Sequence, residues 1–339
     1  MMNYSFIIPV YNCKAYLPAC VESILASGRE DCEIILVNDG STDGSGAVCD
    51  GLAGKYPQVR VIHQPNGGAS AARNRGIREA AGEKVIFFDA DDTIDSAALG
   101  EILEDPRCIH ADLTIFGLTF DYYYNGQCYR RDPLFYEQEG VLEKDEWCRE
   151  FTRLYEKNSL SPVWNKVFRR DILQIHSLEL DQGMFLYEDF EFVLRYMAHC
   201  ESIFNVPQAI YHYRQSEDEG NAKRRLARID CLSEFLKPIE AAVNALPGVP
   251  AEQKEAVLVQ LYQVLAREKI SVSDLKQVGE LCGDYARWYA DRRCTDGDNV
   301  FHRNIMDRKA LKLKLLDQKT ALRHRIAVWV KAHNLYKRK

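Results

Sequence analysis

One short stretch, KVIFFDADD at residues 84–92, constrains the fold of this chain more than any other. Its apolar part, Val85–Phe88, has the length and composition of a strand that is covered on both faces of a sheet. Three carboxylates, Asp89, Asp91 and Asp92, follow directly. Packed together, these acids repel one another and raise each other's pKa values, so they favour a bound cation. Such oxygen ligands suit Mg²⁺ or Mn²⁺, which commonly accompany a phosphorylated substrate.

Strands and helices alternate regularly before this stretch. The predicted order is strand 4–10, helix 14–27, strand 33–37, a helix that Ser41 or Thr42 caps and that ends near Tyr56, strand 59–63 and helix 71–81. This alternation predicts βαβ units with right-handed crossovers and a mostly parallel sheet. Ligands bind at the carboxyl ends of the strands in such sheets. Four polar clusters are expected to meet there: Pro9–Asn12, Asn38–Asp43, Asn66–Asn74 and Asp89–Asp92.

The remaining chain first continues the mixed pattern and then becomes helical. It contains predicted helices 95–104, 147–158 and 190–199, predicted strands 112–118 and 206–213, a short loop-strand at 161–168, and an aromatic segment that suits a β-hairpin around Asn125-Gly126. The pattern is helical throughout from Ala222. We therefore predict an α/β domain at residues 1–220 and a helical C-terminal region at residues 221–339.

Several function classes are excluded because their motifs are missing. The chain has no G-x-G-x-x-G, no G-x-x-x-x-G-K-[ST], no H-E-x-x-H and no G-x-S-x-G. Its eleven cysteines are scattered and form no C-x-x-C pair, which favours reduced thiols in a cytosol. The N-terminus lacks the features of a signal peptide, and no apolar run reaches the length of a transmembrane helix.

The charge is distributed unevenly. Residues 303–339 contain 12 Lys and Arg and two acids, a net +10, so the net charge of −6 leaves −16 for the preceding 302 residues. Leu322, Ile326, Trp329 and Val330 lie at helical spacing within this basic tail. Such an amphipathic helix suits an anionic membrane surface, which predicts a cytoplasmic protein with peripheral contact to the inner face of the cell membrane. The alternative is a helix that packs on the catalytic domain or on a homodimer partner. Nucleic acid is disfavoured because the remaining chain is acidic.

Four motifs resemble those of the family 2 glycosyltransferases, which have the GT-A fold. They are FIIPVYN (6–12), EIILVNDGSTDGS (33–45), NGGASAARNRGI (66–77) and VIFFDADD (85–92), in the order and spacing of the family. The resemblance covers about residues 3–215. It extends, more loosely, to WNKVFRR (164–170), YEDFEF (187–192) and YHYR (211–214), which resemble the bacterial polysaccharide-type branch. It implies a GT-A domain: a Rossmann-like, mostly parallel sheet flanked by helices.

The resemblance also implies a set of nucleotide-sugar contacts. Asp39 is similar to the aspartate that recognises the base, and a carboxylate is a suitable acceptor for the ring N–H of uracil. The other implied contacts are Pro9, Val10, Tyr11, Gly68, Arg73, Asn74, Asp89 and Ala90, together with Asp91. Three alternatives stay open: Asp39 as a turn residue that bonds nearby backbone, Tyr11 as a core residue, and Arg73 as a surface charge of its helix.

Metal and catalytic roles follow from the same resemblance. Asp91 is the implied direct ligand of Mn²⁺ or Mg²⁺, with Asp89 near the ribose and the metal, and His212 is either a third ligand or structural. Asp189 is the implied catalytic base, with Glu188 as the alternative, although an acid at a helix N-terminus is also favoured by the helix dipole. Arg214 would neutralise the diphosphate, Trp164 and Lys166 would contact the acceptor or the phosphates, and Asp92 would cap the next helix.

These features together predict an inverting, metal-dependent glycosyltransferase. It would move a sugar from a nucleotide-sugar, a UDP-sugar by preference, to a hydroxyl of a bacterial surface glycan or lipid-linked acceptor. A nucleotidyltransferase is the nearest alternative, but it would normally carry a glycine-rich basic loop after the first strand, where this chain has Pro9–Asn12. A polyprenyl-phosphate sugar synthase and a non-catalytic nucleotide- or glycan-binding relative are the others.

Overall fold

The computed structural model describes residues 2–124, 126–215 and 232–269. The strands are β1 (Tyr4–Val10), β2 (Cys32–Asp39), β3 (Val59–Gln64), β4 (Lys84–Phe87), β5 (Thr93–Ile94), β6 (Leu113–Tyr124), β7 (Gln127–Leu134), β8 (Gly140–Glu143), β9 (Lys166–Arg169) and β10 (Ser202–Gln215). The helices are α1 (Leu17–Leu25), α2 (Ser45–Lys55), α3 (Ala69–Glu79), α4 (Ser96–Glu104), α5 (Pro106–His110), α6 (Lys144–Arg149), α7 (Phe151–Glu156), α8 (Arg170–Ile175), α9 (Glu188–Met197), α10 (Leu232–Ala245) and α11 (Ala251–Lys269).

These strands form one mixed sheet in the order β3-β2-β1-β4-β9-β6-β10-β5. Strands β3, β2, β1 and β4 are mutually parallel, as are β6 and β10. The antiparallel pairs involve the short strands β5, β8 and β9 and the hairpin strand β7. Helices pack on both faces, which confirms the predicted α/β class with a mostly parallel central sheet. The predicted hairpin is also confirmed, since β6 and β7 pair antiparallel up to Tyr124 and Gln127.

Helix α3 packs against β1 at a glycine. Gly76 is buried, and a Cβ atom at this position would overlap the side chain of Ile7, which is itself completely buried in β1. The helix can approach the sheet this closely only because position 76 has no side chain. Because α3 also carries Arg73, this contact helps to position the site described below.

We expect Gly76→Ala to lower the free energy of unfolding by about 2 kcal/mol, because overpacking forces a shift of the helix or of Ile7. Gly51→Ala is the matched control. Gly51 lies within α2 with no atom close to an added Cβ, so its replacement should stabilise the protein by about 0.5–1 kcal/mol. Urea unfolding of both variants measures the difference, and equal stability of the two would contradict the close packing.

Several boundaries differ from the sequence prediction. The predicted helix 147–158 is two short helices, α6 and α7, and β6 is longer than predicted because it continues into the hairpin. Asp92 does not cap α4, so that prediction is wrong. The cap is Asp95, whose side chain accepts a hydrogen bond from the Ala98 backbone N–H.

Two of the C-terminal helices pack on the sheet domain, within the compact unit that ends at Lys269. The boundary predicted near Gly220 lies outside the described residues and stays a prediction. Gln253 of α11 accepts a hydrogen bond from the Thr152 N–H of α7 at 3.0 Å, and Phe235 of α10 contacts Phe185 with ring centroids 5.4 Å apart. The basic tail predicted at residues 303–339 lies outside the described residues. Among the helices that are described, none has the length and apolarity needed to cross a membrane.

Candidate active site

The loops after β1 and β2 are joined by hydrogen bonds at the carboxyl edge of the sheet. Asn12 has a left-handed backbone conformation, with φ of 52°, and its side-chain oxygen accepts from the Thr42 N–H at 2.8 Å. The Asn12 N–H in turn donates to Ser41 Oγ at 3.2 Å. Tyr11 projects from this junction with 53% of its surface exposed, which excludes the alternative that it is a core residue. Topology therefore brings two of the predicted polar clusters together.

Asp39, at the end of β2, holds the glycine loop that precedes α3. Its two carboxylate oxygens accept from the N–H groups of Gly67 and Gly68 at 2.9 and 2.8 Å, and Gln64 donates a third hydrogen bond at 2.8 Å. Gly68 has φ of +88°, which favours glycine at this turn. Asp39 thus bonds the backbone of a different loop rather than its own turn. Oδ1 accepts two of these hydrogen bonds and Oδ2 only one, so Oδ2 keeps acceptor capacity for a ligand.

Two residues of the predicted nucleotide set are buried and already engaged. Val10 is completely buried in the core. Asn74 is also completely buried, and its amide donates to Leu180 O at 2.8 Å and accepts from Leu180 N at 2.7 Å. For Asn74 this corrects the implied contact with the nucleotide, because both ends of its amide are already used; the implied contact of Val10 stays a prediction. Asn74 instead fixes the segment that leads to α9. Ala90 is buried too, whereas Pro9 is partly exposed and Gly68 is exposed.

Arg73 of α3 bridges two acids that lie far apart in the sequence. Its Nη2 lies 2.7 Å from Asp89 Oδ1, and its Nη1 lies 3.1 Å from Asp189 Oδ1. Only 6% of its side chain is exposed, so it is not a surface charge of the helix. Burial by itself would lower the pKa of Arg73, but the charges of Asp189 and Asp89 raise it. The bridge joins the DADD loop after β4 to the first turn of α9.

Asp189 is a partly buried carboxylate with an unusual proton affinity. Burial is the main cause that raises its pKa to about 6, the charges of Glu188 and Asp89 add to this effect, and Arg73 and a hydrogen bond from the Val163 N–H oppose it. A carboxylate in this range can accept a proton near neutral pH. Glu188 is the first residue of α9 and is partly exposed beside it.

The acids of the DADD loop have three different environments. Asp92 is buried, accepting from Tyr211 Oη at 2.8 Å and from the Arg214 N–H at 2.7 Å. Burial, with the charges of Asp89 and Asp91, raises its pKa well above the ordinary value. Asp89 is half-buried against Arg73. Asp91 remains exposed to solvent, although neighbouring protein atoms and the charge of Asp89 raise its pKa. The charge of Asp89 thus contributes to the raised pKa values of Asp91 and Asp92, in the direction predicted from the sequence.

Asp91 lines a pocket of about 280 Å³, which we call the Asp91 pocket. Its wall also includes Tyr16, Asp121, Tyr123, His212 and Arg214. The Arg214 guanidinium lies over the rings of Tyr123 and Tyr16, 3.6 and 4.8 Å from their centroids. No three His, Cys, Asp or Glu side chains in the described ranges could hold a metal ion by themselves. The protein would therefore supply part of a coordination sphere, as is usual where substrate phosphates supply the rest.

Two residues predicted to contact the acceptor or the phosphates lie in the interior. Lys166 is completely buried, and its amine donates to Asn165 Oδ1 at 2.7 Å and to Pro162 O at 2.5 Å. Burial lowers the pKa of Lys166 well below its ordinary value. Trp164 is 6% exposed and stacks on Tyr211 with centroids 4.2 Å apart. This corrects both predictions: these side chains support the loop that carries Val163, whose N–H bonds Asp189.

Among the described residues that line the pocket, the one buried acid is missing from the sequence prediction. Asp121 lies in the middle of the aromatic strand β6, between Phe120 and Tyr122, and is only 4% exposed. An acid among aromatic residues at the end of a predicted strand was the available signal. Its place beside His212 depends on the pairing of β6 with β10.

Comparison with known proteins identifies related sequences and a related fold. The model of the family "Glycosyl transferase family 2" matches residues 5–174. EpsJ, an uncharacterized glycosyltransferase of Bacillus subtilis (strain 168), is 34% identical over 214 residues, which cover 62% of this chain and 61% of EpsJ. YibD, an uncharacterized glycosyltransferase of Escherichia coli (strain K12), is 32% identical over 254 residues, which cover 70% of this chain and 72% of YibD.

TarS of S. aureus, in its crystal structure with UDP-GlcNAc, has the same fold. Its TM-score is 0.62 at 20% sequence identity, with 84% of this chain and 80% of that chain covered. This chain thus spans about three fifths of the length of EpsJ and nearly three quarters of the length of YibD.

Proposed function

The chain belongs to glycosyl transferase family 2 and is a glycosyltransferase of the GT-A fold, and we propose that it transfers a sugar from a UDP-sugar to an acceptor hydroxyl with inversion. The observation that carries this proposal is the Arg73 bridge. It holds Asp89, on the donor side, and Asp189, the candidate base, on one guanidinium. A donor and an acceptor that meet at this bridge would have their reacting atoms beside a carboxylate able to take a proton.

The donor side would be the edge formed by the loops after β1, β2 and β3. Asp39, with acceptor capacity left after it binds the Gly67-Gly68 backbone, would receive the ring N–H of uracil. The exposed ring of Tyr11 would cover the base or the ribose. UDP-GlcNAc bound to TarS, which shares the fold, supports a uridine nucleotide here.

Asp189 would act as the general base. As the acceptor oxygen forms its bond to the anomeric carbon, the bond from that carbon to the diphosphate oxygen breaks on the opposite face, and the hydroxyl proton passes to the Asp189 carboxylate. The products are the inverted glycoside and UDP. The hydrogen bonds from Arg73 and from the Val163 N–H would orient the carboxylate. Glu188 remains the alternative base.

The residues around the Asp91 pocket fit a divalent cation. Two buried atoms of the pocket wall, Asp121 Oδ1 and His212 Nδ1, have no hydrogen-bond partner among the described residues. The pKa of Asp91, which lines the same pocket, is raised by desolvation and by the charge of Asp89. Asp91 and His212, which line this pocket, would supply part of the coordination sphere of Mn²⁺ or Mg²⁺, and oxygens of the diphosphate would supply the rest. The bound cation would give positive charge to the departing diphosphate. Asp89, which Arg73 holds, would lie near the cation. Arg214, held between Tyr16 and Tyr123, would add a second positive charge.

The acceptor we propose is a bacterial surface glycan or a lipid-linked precursor. A peripheral membrane contact through the basic tail fits a lipid-linked acceptor, and this tail lies outside the described residues. The alternative of a homodimer contact through the tail also stays a prediction.

The proposal is tested by UDP release from four donors: UDP-glucose, UDP-galactose, UDP-N-acetylglucosamine and UDP-N-acetylgalactosamine. We expect purified protein with Mn²⁺ to release UDP from at least one of them, and Asp91→Ala to abolish the release, because this side chain would lose its contact with the cation. A calorimetric titration with UDP accompanies the assay. Binding of UDP without turnover of any donor would favour a binding protein, and absence of binding to every UDP compound would exclude the proposal.

A further inference from the structure

Asp121 is a buried acid whose charge is poorly compensated. It pairs with Arg131 across the β6–β7 hairpin, where Arg131 Nε lies 3.4 Å from Asp121 Oδ1. The side chain of Arg131 is 62% exposed, and ion pairs to exposed side chains contribute little. Asp121 Oδ1 also has no hydrogen-bond partner among the described residues. A buried carboxylate in this state needs a further donor.

His212 can donate to the other oxygen of the same carboxylate. Its Nδ1 lies 3.3 Å from Asp121 Oδ2, and it likewise has no hydrogen-bond partner within the described part of the chain. The two residues share a face of the sheet, because the parallel register of β6 and β10 pairs Thr119 with His212 and Asp121 with Arg214. A neutral imidazole carries its proton on one nitrogen only. If Nδ1 were unprotonated, two acceptors would face each other at this distance.

The ring nitrogen of His212 that carries the proton determines which nitrogen can bind a ligand in the Asp91 pocket. With the proton on Nδ1, the Nε2 lone pair is free to bind a ligand in the pocket that His212 lines together with Asp91. Carboxylate–histidine pairs of this kind fix the tautomer and the ring orientation of metal-binding histidines in other proteins.

We propose that Asp121 is the positioning residue for His212: its carboxylate accepts the Nδ1 proton and leaves Nε2 as a ligand for a divalent cation beside Asp91. This inference rests on the proposed function for the cation and for the UDP diphosphate that shares it. Asp121 itself does not touch the donor in this arrangement.

The test is direct binding of Mn²⁺, followed by the loss of its free electron paramagnetic resonance signal, with the protein saturated with UDP. We expect Asp121→Asn to weaken Mn²⁺ binding about 10–100-fold, because the side-chain amide can turn its N–H₂ group to Nδ1 and favour the other tautomer. Asp132→Asn is the matched control, because it removes the same charge from the adjacent strand β7. Asp132 pairs there with the exposed side chain of Arg130. The affinity for UDP without metal should be unchanged in both variants.

A second measurement does not depend on the folding of a variant. In wild-type protein without metal, ¹⁵N chemical shifts of His212, assigned through His212→Gln, should show the proton on Nδ1. A proton on Nε2 would overturn the inference, and so would Mn²⁺ binding that is weakened in His212→Gln but unchanged in Asp121→Asn. Either of these two outcomes would leave the proposed function unaffected. Failure of wild-type protein to bind UDP would instead contradict the proposed function itself, and uptake of no Mn²⁺ in the presence of UDP would overturn the inference.

Discussion

Replacing Asp189 with asparagine is expected to lower the rate of sugar transfer about 10³-fold, the typical contribution of a positioned general base. Asparagine keeps the shape and can still accept a hydrogen bond from Arg73, but it cannot take the acceptor proton. The affinity for the UDP-sugar should change little. The measurement is UDP release under single-turnover conditions with the donor that the screen identifies, together with a binding titration of the same variant.

Glu188→Gln is the control for this prediction because it removes the neighbouring acid from the same helical turn. We expect its rate to stay within a few-fold of wild type. The opposite result, with Glu188→Gln inactive and Asp189→Asn active, would assign the base to Glu188.

The pH dependence gives a further readout of the same group. The carboxylate must be ionised to accept a proton, and the pKa of Asp189 is raised to about 6 by burial. The value of kcat/KM should therefore fall tenfold per pH unit below about pH 6 and level off above it. This limb should be absent from the residual activity of Asp189→Asn.

Replacing Arg73 with methionine is expected to lower the free energy of unfolding at pH 7 by about 3 kcal/mol. The buried guanidinium is shared by Asp89 and Asp189, and removing one side of a buried ion pair leaves uncompensated charge in the interior. The side chains of Asp89 and Asp189 are 25% and 20% exposed. Water can therefore partly solvate them, and the expected loss of stability lies toward the lower end of the range for broken buried ion pairs. Transfer activity should fall as well, because Asp189 would lose its orientation. Urea unfolding measures the stability change.

Arg75→Met is the matched control on the same helix. Arg75 is 45% exposed and pairs with Glu79 one turn away, so its loss should change stability by less than about 0.5 kcal/mol.

The sign of the pH effect distinguishes the Arg73 mechanism from a simple packing defect. Without Arg73, the folded-state pKa of Asp189, which is already raised to about 6, rises further above its unfolded value, so the native state binds more protons between those two values. The stability of Arg73→Met should therefore increase as the pH falls from 7 to 5, and its deficit against wild type should shrink. A deficit that is the same at both pH values would point to lost packing instead.

The local sequence pattern was sufficient to predict the fold class and the edge of the sheet at which the site lies. The alternation of apolar strands with helices predicts βαβ units and a mostly parallel sheet, and the structure supplies the order β3-β2-β1-β4. The same topology predicts that polar residues after each strand meet at one edge. The carboxylates after β4 are visible in the sequence alone, whereas the positive φ of Gly68 is seen only in the structure.

The predictions that needed correction concern burial rather than position. Asn74, Trp164 and Lys166 belong to segments that do surround the site, yet their side chains point into the interior. A motif places a residue along the chain, but the side to which a side chain turns depends on what packs against it. Asn74 illustrates this, because its amide is consumed by Leu180, which is 106 residues away in the sequence.

The sequence by itself determined the α/β order, the edge of the sheet that holds the site, and the gathering of Asp89, Asp91 and Asp92 after β4. Only the tertiary structure decided which charges meet: Arg73 with Asp89 and Asp189, and Asp121 with His212. The physical reason is the range of the interactions. Strands and helices follow from periodicity over neighbouring residues, whereas a salt bridge across 116 residues depends on how distant elements register and rotate when they pack.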